Sequence, residues 1–227
     1  MKTVLVTGAG RGIGLAVAKK FSSMDWNVLS LDKEFQATVI GERISFDLRF
    51  LDKIPELIDR LGPIDTLVNN AAVLFCDAMD SIPQDHIQEI LEVNLLAPAR
   101  LIESVSLGMR SQGGGRIVSV GSVSAFTGHP DLWYGATKAA LLNLTKSYAA
   151  HLGRDNIFVN AVAPGPTLTT MYEQLPESRK ESVMSSVHTG RPCLPDEVAE
   201  AIFWLGAESP AYVSGTTVDV NGGSYPR

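Results

Sequence analysis

"TVLVTGAGRGIGLAV", residues 3–17, sets the architecture of the chain. Its first five residues are an apolar, β-branched-rich run of the kind a strand buried on both faces requires. Glycines follow at positions 8, 10, 12 and 14, and an amphipathic stretch, "GLAVAKKF", begins at the last of them. A strand that runs through a glycine turn into a helix starts a parallel sheet, because parallel neighbours need a crossover and a helix is the usual one. The rest of the chain repeats the alternation: "NVLSL", "RISFD" with "FLDKIPELIDRL", "DTLVNN" with a long helical segment from Gln84 to Met109, and "GGRIVSVGS" with a helix around Tyr134. "NIFVNAVAP", "DEVAEAIFWLGA" and "TTVDVNGG" complete it. The pattern predicts an α/β fold, a doubly wound parallel sheet of about seven strands with helices on both faces. Only about a dozen residues join the second strand to the third, near the minimum for a crossover, so a loop is expected there.

The chain has 227 residues, 45% of them hydrophobic, and shows neither an internal repeat nor a linker, so residues 1–227 are read as one domain. Its least regular part, about residues 167–195, contains "LPESRKESVMSSVHTGRP" and follows the sixth strand, where it is expected to act as a lid over a ligand crevice. No apolar run is long enough to span a bilayer and the N-terminus passes directly into a strand, which predicts a cytoplasmic protein with no membrane partner. Nineteen basic residues against 25 acidic ones give a net charge of −6, which disfavours nucleic acid as a partner. Cys76 and Cys193 have no metal or redox spacing, and His86, His129, His151 and His188 are scattered, so no metal is expected. His129 and His188, with Phe75, Phe126 and Trp133, are instead candidates for a pocket wall, although large aromatics are more often core.

Glycines at a strand-to-helix turn let backbone N–H groups approach a pyrophosphate at the positive end of a helix dipole. Asp32 ends the second strand, 20 residues after Gly12, where a carboxylate accepts hydrogen bonds from ribose hydroxyls and repels a 2′-phosphate. Arg11 and Lys33 argue the other way, as cations for that phosphate, but the acid sits at the decisive position, so NAD is expected over NADP. In "YGATK", Tyr134 and Lys138 stand one helical turn apart and project from the same side, roughly 6 Å apart along the axis. The spacing alone fits either a catalytic pair or a plain helix face.

Together with "TGAGRGIG" at 7–14, "NNAA" at 69–72, "VNLL" containing Asn94, "GS" containing Ser122, "NAVAPGPTLT" at 160–169 and "VSGTTVDVNGG" at 213–223, these motifs stand in the order of one family. The chain resembles the classical short-chain dehydrogenase/reductases over nearly its whole length. The resemblance implies a Rossmann-type fold and a reaction in which a proton and a hydride move between an alcohol or ketone and a nicotinamide. It implies Tyr134 as general acid/base, Lys138 lowering its pKa together with the nicotinamide charge, and Ser122 holding the substrate oxygen. Ser119 and Ser124 take structural or pocket-lining roles. Asn94 lies in a helix with Pro98 close behind, so a kink with a freed carbonyl is expected, and by resemblance that carbonyl holds a water that relays protons to Lys138. The implied cofactor contacts are Gly8, Arg11, Gly12, Ile13, Gly14 and Asp32, then Asp47 and Leu48 near adenine and Asn70 and Ala71 at the ribose. Tyr134 and Lys138 follow, then Pro164 and Gly165, with Thr167 and Thr169 at the carboxamide and diphosphate. Thr167 departs from the more usual Ile or Val.

Three functions are compatible with these residues. The first is an NAD-dependent dehydrogenase that interconverts a secondary alcohol and a ketone on a small polar or cyclic substrate. The second is an NADPH-dependent 3-oxoacyl-carrier-protein reductase, which needs a basic docking patch; Arg179 and Lys180 are interleaved with Glu173, Glu177 and Glu181 and make a weak one. The third is a non-catalytic dinucleotide-sensing protein, for which the presence of the whole Asn94, Ser122, Tyr134 and Lys138 set is unexpected. Small residues on the Tyr134 helix, Ala136, Ala139, Ala140, Ala149 and Ala150, permit close helix packing, and the resemblance implies a homotetramer, with a dimer as the alternative.

Overall fold

A computed structural model describes residues 1–35 and 38–226. In chain order the elements are β1 (Thr3–Thr7), α1 (Gly12–Ser23), β2 (Asn27–Asp32), β3 (Glu42–Ser45), α2 (Ile54–Leu61), β4 (Thr66–Asn69), α3 (Gln84–Leu91), α4 (Ala97–Gln112) and β5 (Gly115–Val120). Then come α5 (Leu132–Leu152), β6 (Ile157–Pro164), α6 (Thr170–Glu173), α7 (Glu177–Met184), α8 (Pro195–Phe203) and β7 (Thr217–Val220). All seven strands pair in parallel, in the order β3-β2-β1-β4-β5-β6-β7. The doubly wound, Rossmann-type sheet expected from the sequence is therefore present. The connection from β2 to β3 holds no helix among its described residues; residues 36 and 37 of that expected loop lie outside them.

Alternation along each strand divides the core in two. Leu5, Leu29, Leu31, Leu67 and Ile117 face α2 and α4, meeting Leu57, Leu101, Val105 and Met109. Val4, Val6, Val28, Val68 and Val118 point the other way, onto Val17 and Phe21 of α1 and Ile202 and Phe203 of α8. Phe21 anchors this second layer edge-to-face against Phe203 at 4.9 Å and Trp26 at 5.0 Å. Each fully buried side chain of this kind contributes roughly 1.5–3 kcal/mol relative to exposure, so neither layer is dispensable.

Regular helix breaks down in two places that border the sheet's C-terminal edge. The long segment from Gln84 to Met109 is α3 and α4 joined by a π turn, Glu92–Leu96, and Pro98 lies in the first turn of α4. Pro98 lacks the N–H that an α ladder would offer to the Asn94 carbonyl, so the extra residue is accommodated where the ladder is already broken. The segment expected to be least regular contains α6 and α7, and its ends are tied together: Cys193 N–H donates to Pro166 O at 2.8 Å, and Leu168 N–H to Cys193 O at 2.9 Å. No helix among the described residues is long and apolar enough to cross a membrane.

Parallel strands place all their C-terminal ends at one edge, and the crossovers from β1 and β4 depart in opposite directions there. Gly14 lets α1 start hard against that edge: a Cβ on it would stand 2.0 Å from the Gly8 carbonyl oxygen. Gly14→Ala is therefore expected to lower unfolding free energy by about 1–3 kcal/mol, as overpacking does, in urea denaturation followed by circular dichroism. An unchanged midpoint would mean that β1 and α1 separate freely.

Candidate active site

At the switch point between β1 and β4 lies a cavity of about 590 Å³. That is within the range of small-molecule sites. One end is built by the glycine turn. Gly8 and Gly12 have φ of 66° and 53°, a backbone region that glycine enters without strain, and Gly12 begins α1 facing the cavity. Thr169 comes over this turn from the far side of the sheet, its methyl 3.1 Å from where a Gly12 Cβ would be. Asn70 secures the turn from β4: its side-chain amide donates to Thr7 O and Gly8 O at 2.9 and 3.2 Å. A glycine-lined helix N-terminus opening into a cavity fits a diphosphate well.

Asp32, at the end of β2, lines the same cavity. One carboxylate oxygen accepts from Gly10 N–H at 2.9 Å and the other from Glu34 N–H at 3.3 Å, which leaves lone pairs on both for ligand hydroxyls. The two cations weighed against it differ. Both line the cavity: Lys33 lies 3.6 Å from Glu89, itself on the wall, whereas Arg11 makes no ion pair among the described residues. Asp47 and Leu48 also line this end, and the Arg49 guanidinium beside Asp47 holds its carboxyl below the usual range. Ile13, Ala71, Pro164, Gly165 and Thr167 complete the cofactor set on the wall; Gly14 does not reach it.

The other end brings Ser122, Tyr134 and Lys138 together. Ser122 follows β5, its hydroxyl draws the Tyr134 pKa down, and its oxygen accepts from Ser124 N–H at 3.1 Å. Lys138 is 2% exposed, donates to Val120 O at 2.7 Å, and lies 5.6 Å from the Tyr134 ring centre. Burial pushes the Lys138 ammonium down to about 8. Ser124 lines the cavity as well, whereas Ser119 is buried within β5.

The sequence model of a family described as enoyl-(acyl carrier protein) reductase matches residues 8–225. Among characterised relatives, the chain is 34% identical to a 3alpha-hydroxysteroid dehydrogenase of Mediterraneibacter gnavus, over 97% of this chain and 96% of that one. It is 33% identical to the 3-oxoacyl-[acyl-carrier-protein] reductase FabG of Vibrio harveyi, over 99% and 97%. The chain is a classical short-chain dehydrogenase/reductase. A solved structure from Beutenbergia cavernae, assigned as an NAD(P)-dependent gluconate 5-dehydrogenase with NADP bound at low occupancy, superposes with a TM-score of 0.91 at 28% identity, covering 98% of this chain and 96% of that one. As a member of this family the protein is an NAD(P)-dependent oxidoreductase.

Two features of this short-chain dehydrogenase/reductase add to the sequence reading. The resemblance implies a lowered Tyr134 pKa once Lys138 and the nicotinamide charge act together; in the protein alone burial pushes it up to about 12, outweighing Ser122, and the carboxylate of Asp131 acts in the same direction as burial. Burial thus favours the neutral phenol in the protein alone, and Lys138, desolvated in its turn, gives one donor to Val120. Asn94, fully buried, does not line the cavity; its side-chain amide spans the backbone of Val73, accepting from the N–H at 2.8 Å and donating to the carbonyl at 2.9 Å. Its side chain thus fastens the π turn to the segment after β4 that carries Asn70 and Ala71.

Sequence reasoning missed the lid's inward cation. The charge pattern puts Arg179 in a mixed surface patch, but it points from α7 into the cavity and pairs with Asp131, contacting His129 as well. The arrangement i, i+1 of Arg179 and Lys180 carries no sign that one would face inward. Of the other pocket candidates only His129 lines the cavity; Phe75 stacks on His86 at 3.9 Å and Phe126 on Tyr225 at 5.4 Å. Asn94→Ala would leave Val73 N–H and C=O without partners, and is expected to cost about 1–3 kcal/mol in urea denaturation and to weaken dinucleotide binding by fluorescence titration. Wild-type stability in that variant would show the amide bridge to be incidental.

Proposed function

We propose that this chain is an NAD-preferring dehydrogenase that interconverts a secondary alcohol and a ketone on a small polar or cyclic substrate. The observation that carries the reading is the convergence of Ser122, Tyr134 and Lys138 on one end of a cavity whose other end is closed by the glycine turn and Asp32. Gly8, Gly12, Asp32, Asn70 and Thr169 would hold the dinucleotide, which supplies the hydride acceptor for alcohol oxidation. Tyr134 takes the alcohol proton through its phenol oxygen, while Ser122 hydrogen-bonds the same substrate oxygen and fixes it against the tyrosine. Lys138 supplies the chain's own cation beside the phenol and favours the phenolate while it is protonated. Asn94 keeps the π turn and the wall after β4 in register, and a water on its main-chain carbonyl would carry protons to Lys138.

Because the acceptor form of Tyr134 is the deprotonated one, alcohol oxidation rises with pH and ketone reduction falls. Asp32 favours NAD by its charge at the ribose end, and Glu89, 3.6 Å from Lys33, offsets part of the charge of one competing cation. A second reading, an NADPH-dependent 3-oxoacyl-carrier-protein reductase, is favoured by Arg11, which lines the cavity with no ion pair among the described residues, and by the names of relatives such as the Vibrio harveyi FabG. Exposed Leu96 and Leu107 beside α3 and on α4, with Trp133 on α5, favour assembly through these helices as a homotetramer.

Turnover is read as the absorbance of reduced nicotinamide, with polyols, cyclic diols, hydroxy acids and 3-hydroxyacyl thioesters offered with NAD⁺ or NADP⁺. NAD⁺-linked oxidation of a small alcohol is expected, falling by roughly 10²–10⁴ in Tyr134→Phe, and Asp32→Ser is expected to erode the preference for NAD⁺ by about tenfold. Preference for NADP⁺ and thioesters would install the second reading, and a protein that binds dinucleotide but turns over nothing would favour a sensor. Light scattering is expected to give four chains, and a monomer would overturn the assembly.

A further inference from the structure

The Arg179 cluster is built from three separate segments and sits beside the candidate acid/base. Its guanidinium leaves α7, pairs through Nη2 with the Asp131 carboxylate, and lies 3.3 Å from His129 Nε2 through the same nitrogen. Nη1 reaches Cys76 Sγ, on the segment after β4, at 3.7 Å. The Asp131 side chain is 4% exposed and that of Arg179 17%, the most enclosed ion pair between two full charges among the described residues. Asp131 is also the N-cap residue of α5, three before Tyr134, and the His129 ring lies 5.3 Å from the Tyr134 ring. All of this lines or borders the cavity end that holds Ser122 and Tyr134.

The contacts fix the imidazole. An arginine only donates, so Nε2 must accept and the ring proton belongs on Nδ1, which faces the Asp131 carbonyl and carboxylate oxygens at 3.3 Å each. The Asp131 N–H, 3.2 Å from Nδ1, would serve the opposite tautomer and becomes useful only once Arg179 withdraws. A protonated His129 would set donor against donor and cation against cation, so a docked Arg179 requires a neutral ring. The groups facing His129 are Asp131 on its own loop, Tyr134 on α5 and Arg179 on α7; burial, then Arg179, holds its pKa down against the pull of Asp131.

We propose that Arg179 is a specificity-determining clasp: it fastens α7 to Asp131 and His129 across the substrate end of the cavity, sets the tautomer of His129 beside Tyr134, and admits small alcohols while excluding extended ones. The substrate half of this inference rests on the dehydrogenase reading above; the tautomer half does not. Buried charges persist when paired and hydrogen-bonded, and removing one partner strands the other, so the clasp is closed or open with little between. Its sign with pH comes from the lowered pKa of His129: closure is complete above the ordinary histidine value of 6.5 and is lost as pH falls below it.

Nuclear magnetic resonance of the histidine rings in the whole protein, without added substrate, tests the clasp. Wild-type His129 is expected to be neutral at pH 6.5 with its proton on Nδ1. In Arg179→Met the ring is expected to titrate about one unit or more higher, since Asp131 is left to it alone, and to carry its proton on Nε2 when neutral. In Asp131→Asn it is expected to titrate lower than in wild type. A role in packing alone predicts no such opposite shifts, and a ring that titrates identically in all three proteins overturns the clasp. The second arm compares kcat/KM for a small cyclic alcohol and a long-chain 3-hydroxyacyl thioester with NAD⁺. Arg179→Met is expected to shift the ratio at least tenfold toward the thioester, chiefly through KM, with dinucleotide affinity unchanged; an unmoved ratio overturns the specificity role. Wild-type silence on every alcohol would instead overturn the dehydrogenase reading, and the histidine titration would still decide the clasp.

Discussion

A sheet with only parallel strands cannot close its turns locally, and every other feature of this protein derives from that constraint. Each strand must be followed by a crossover, each crossover must pack on a face, and both faces must be apolar. Valine-rich positions turned to α1 and α8, and leucine- and isoleucine-rich positions turned to α2 and α4, meet the requirement with one alternating pattern. The same constraint puts every strand's C-terminal end at one edge, and the divergence of the crossovers from β1 and β4 opens the cavity there. The site is a consequence of connectivity before it is a matter of side chains.

At the Tyr134 end of that cavity, burial dominates the electrostatics. Tyr134 and Lys138 both move toward their neutral forms, the phenol to about 12 and the ammonium to about 8, so the desolvation that raises the one pKa lowers the other. Two groups displaced toward neutrality are more responsive to a charge placed beside them than two solvated ones, since the low local polarity that penalises an isolated charge also strengthens a paired one. The fixed part of the arrangement is structural: Lys138 is tethered to Val120, Ser122 is fixed by Ser124, and Asn94 ties the π turn to the opposite wall.

The segment from Thr167 to Pro195 is polar and short of core residues, yet it is well anchored. Its ends close on each other through Thr167 and Cys193, His188 N–H donates to Gly222 O at 3.0 Å beyond β7, and Arg179 reaches Asp131 in the middle. With few buried apolar side chains, this segment is held in place by those localised polar contacts. Thr169 over the glycine turn and Arg179 over the Tyr134 end mean that one segment touches both halves of the cavity.

The alternation of apolar runs, the glycine turn after β1 and the order of the motifs are legible in the sequence because each is local: strand burial, close backbone approach and helical spacing are properties of neighbouring residues. Family membership can be read from the order of the motifs, and the grouping of Ser122 with Tyr134 and Lys138 is what that resemblance implies. The break in the long helix is visible in Asn94 and Pro98, though its form as a π turn is not. Quantities that depend on distant segments emerge only when the chain is packed. In the protein alone the Tyr134 pKa moves up because the packed chain desolvates it. Asp32 anchors the glycine turn because β1 and β2 are adjacent, Lys33 is occupied because α3 brings Glu89 beside it, and Arg179 turns inward because Asp131, 48 residues away, is buried where its charge needs a partner. The order of residues thus specifies the elements and the chemistry they carry, and their packing specifies which charges meet, because a charge is set by what surrounds it in space and not by its neighbours along the chain.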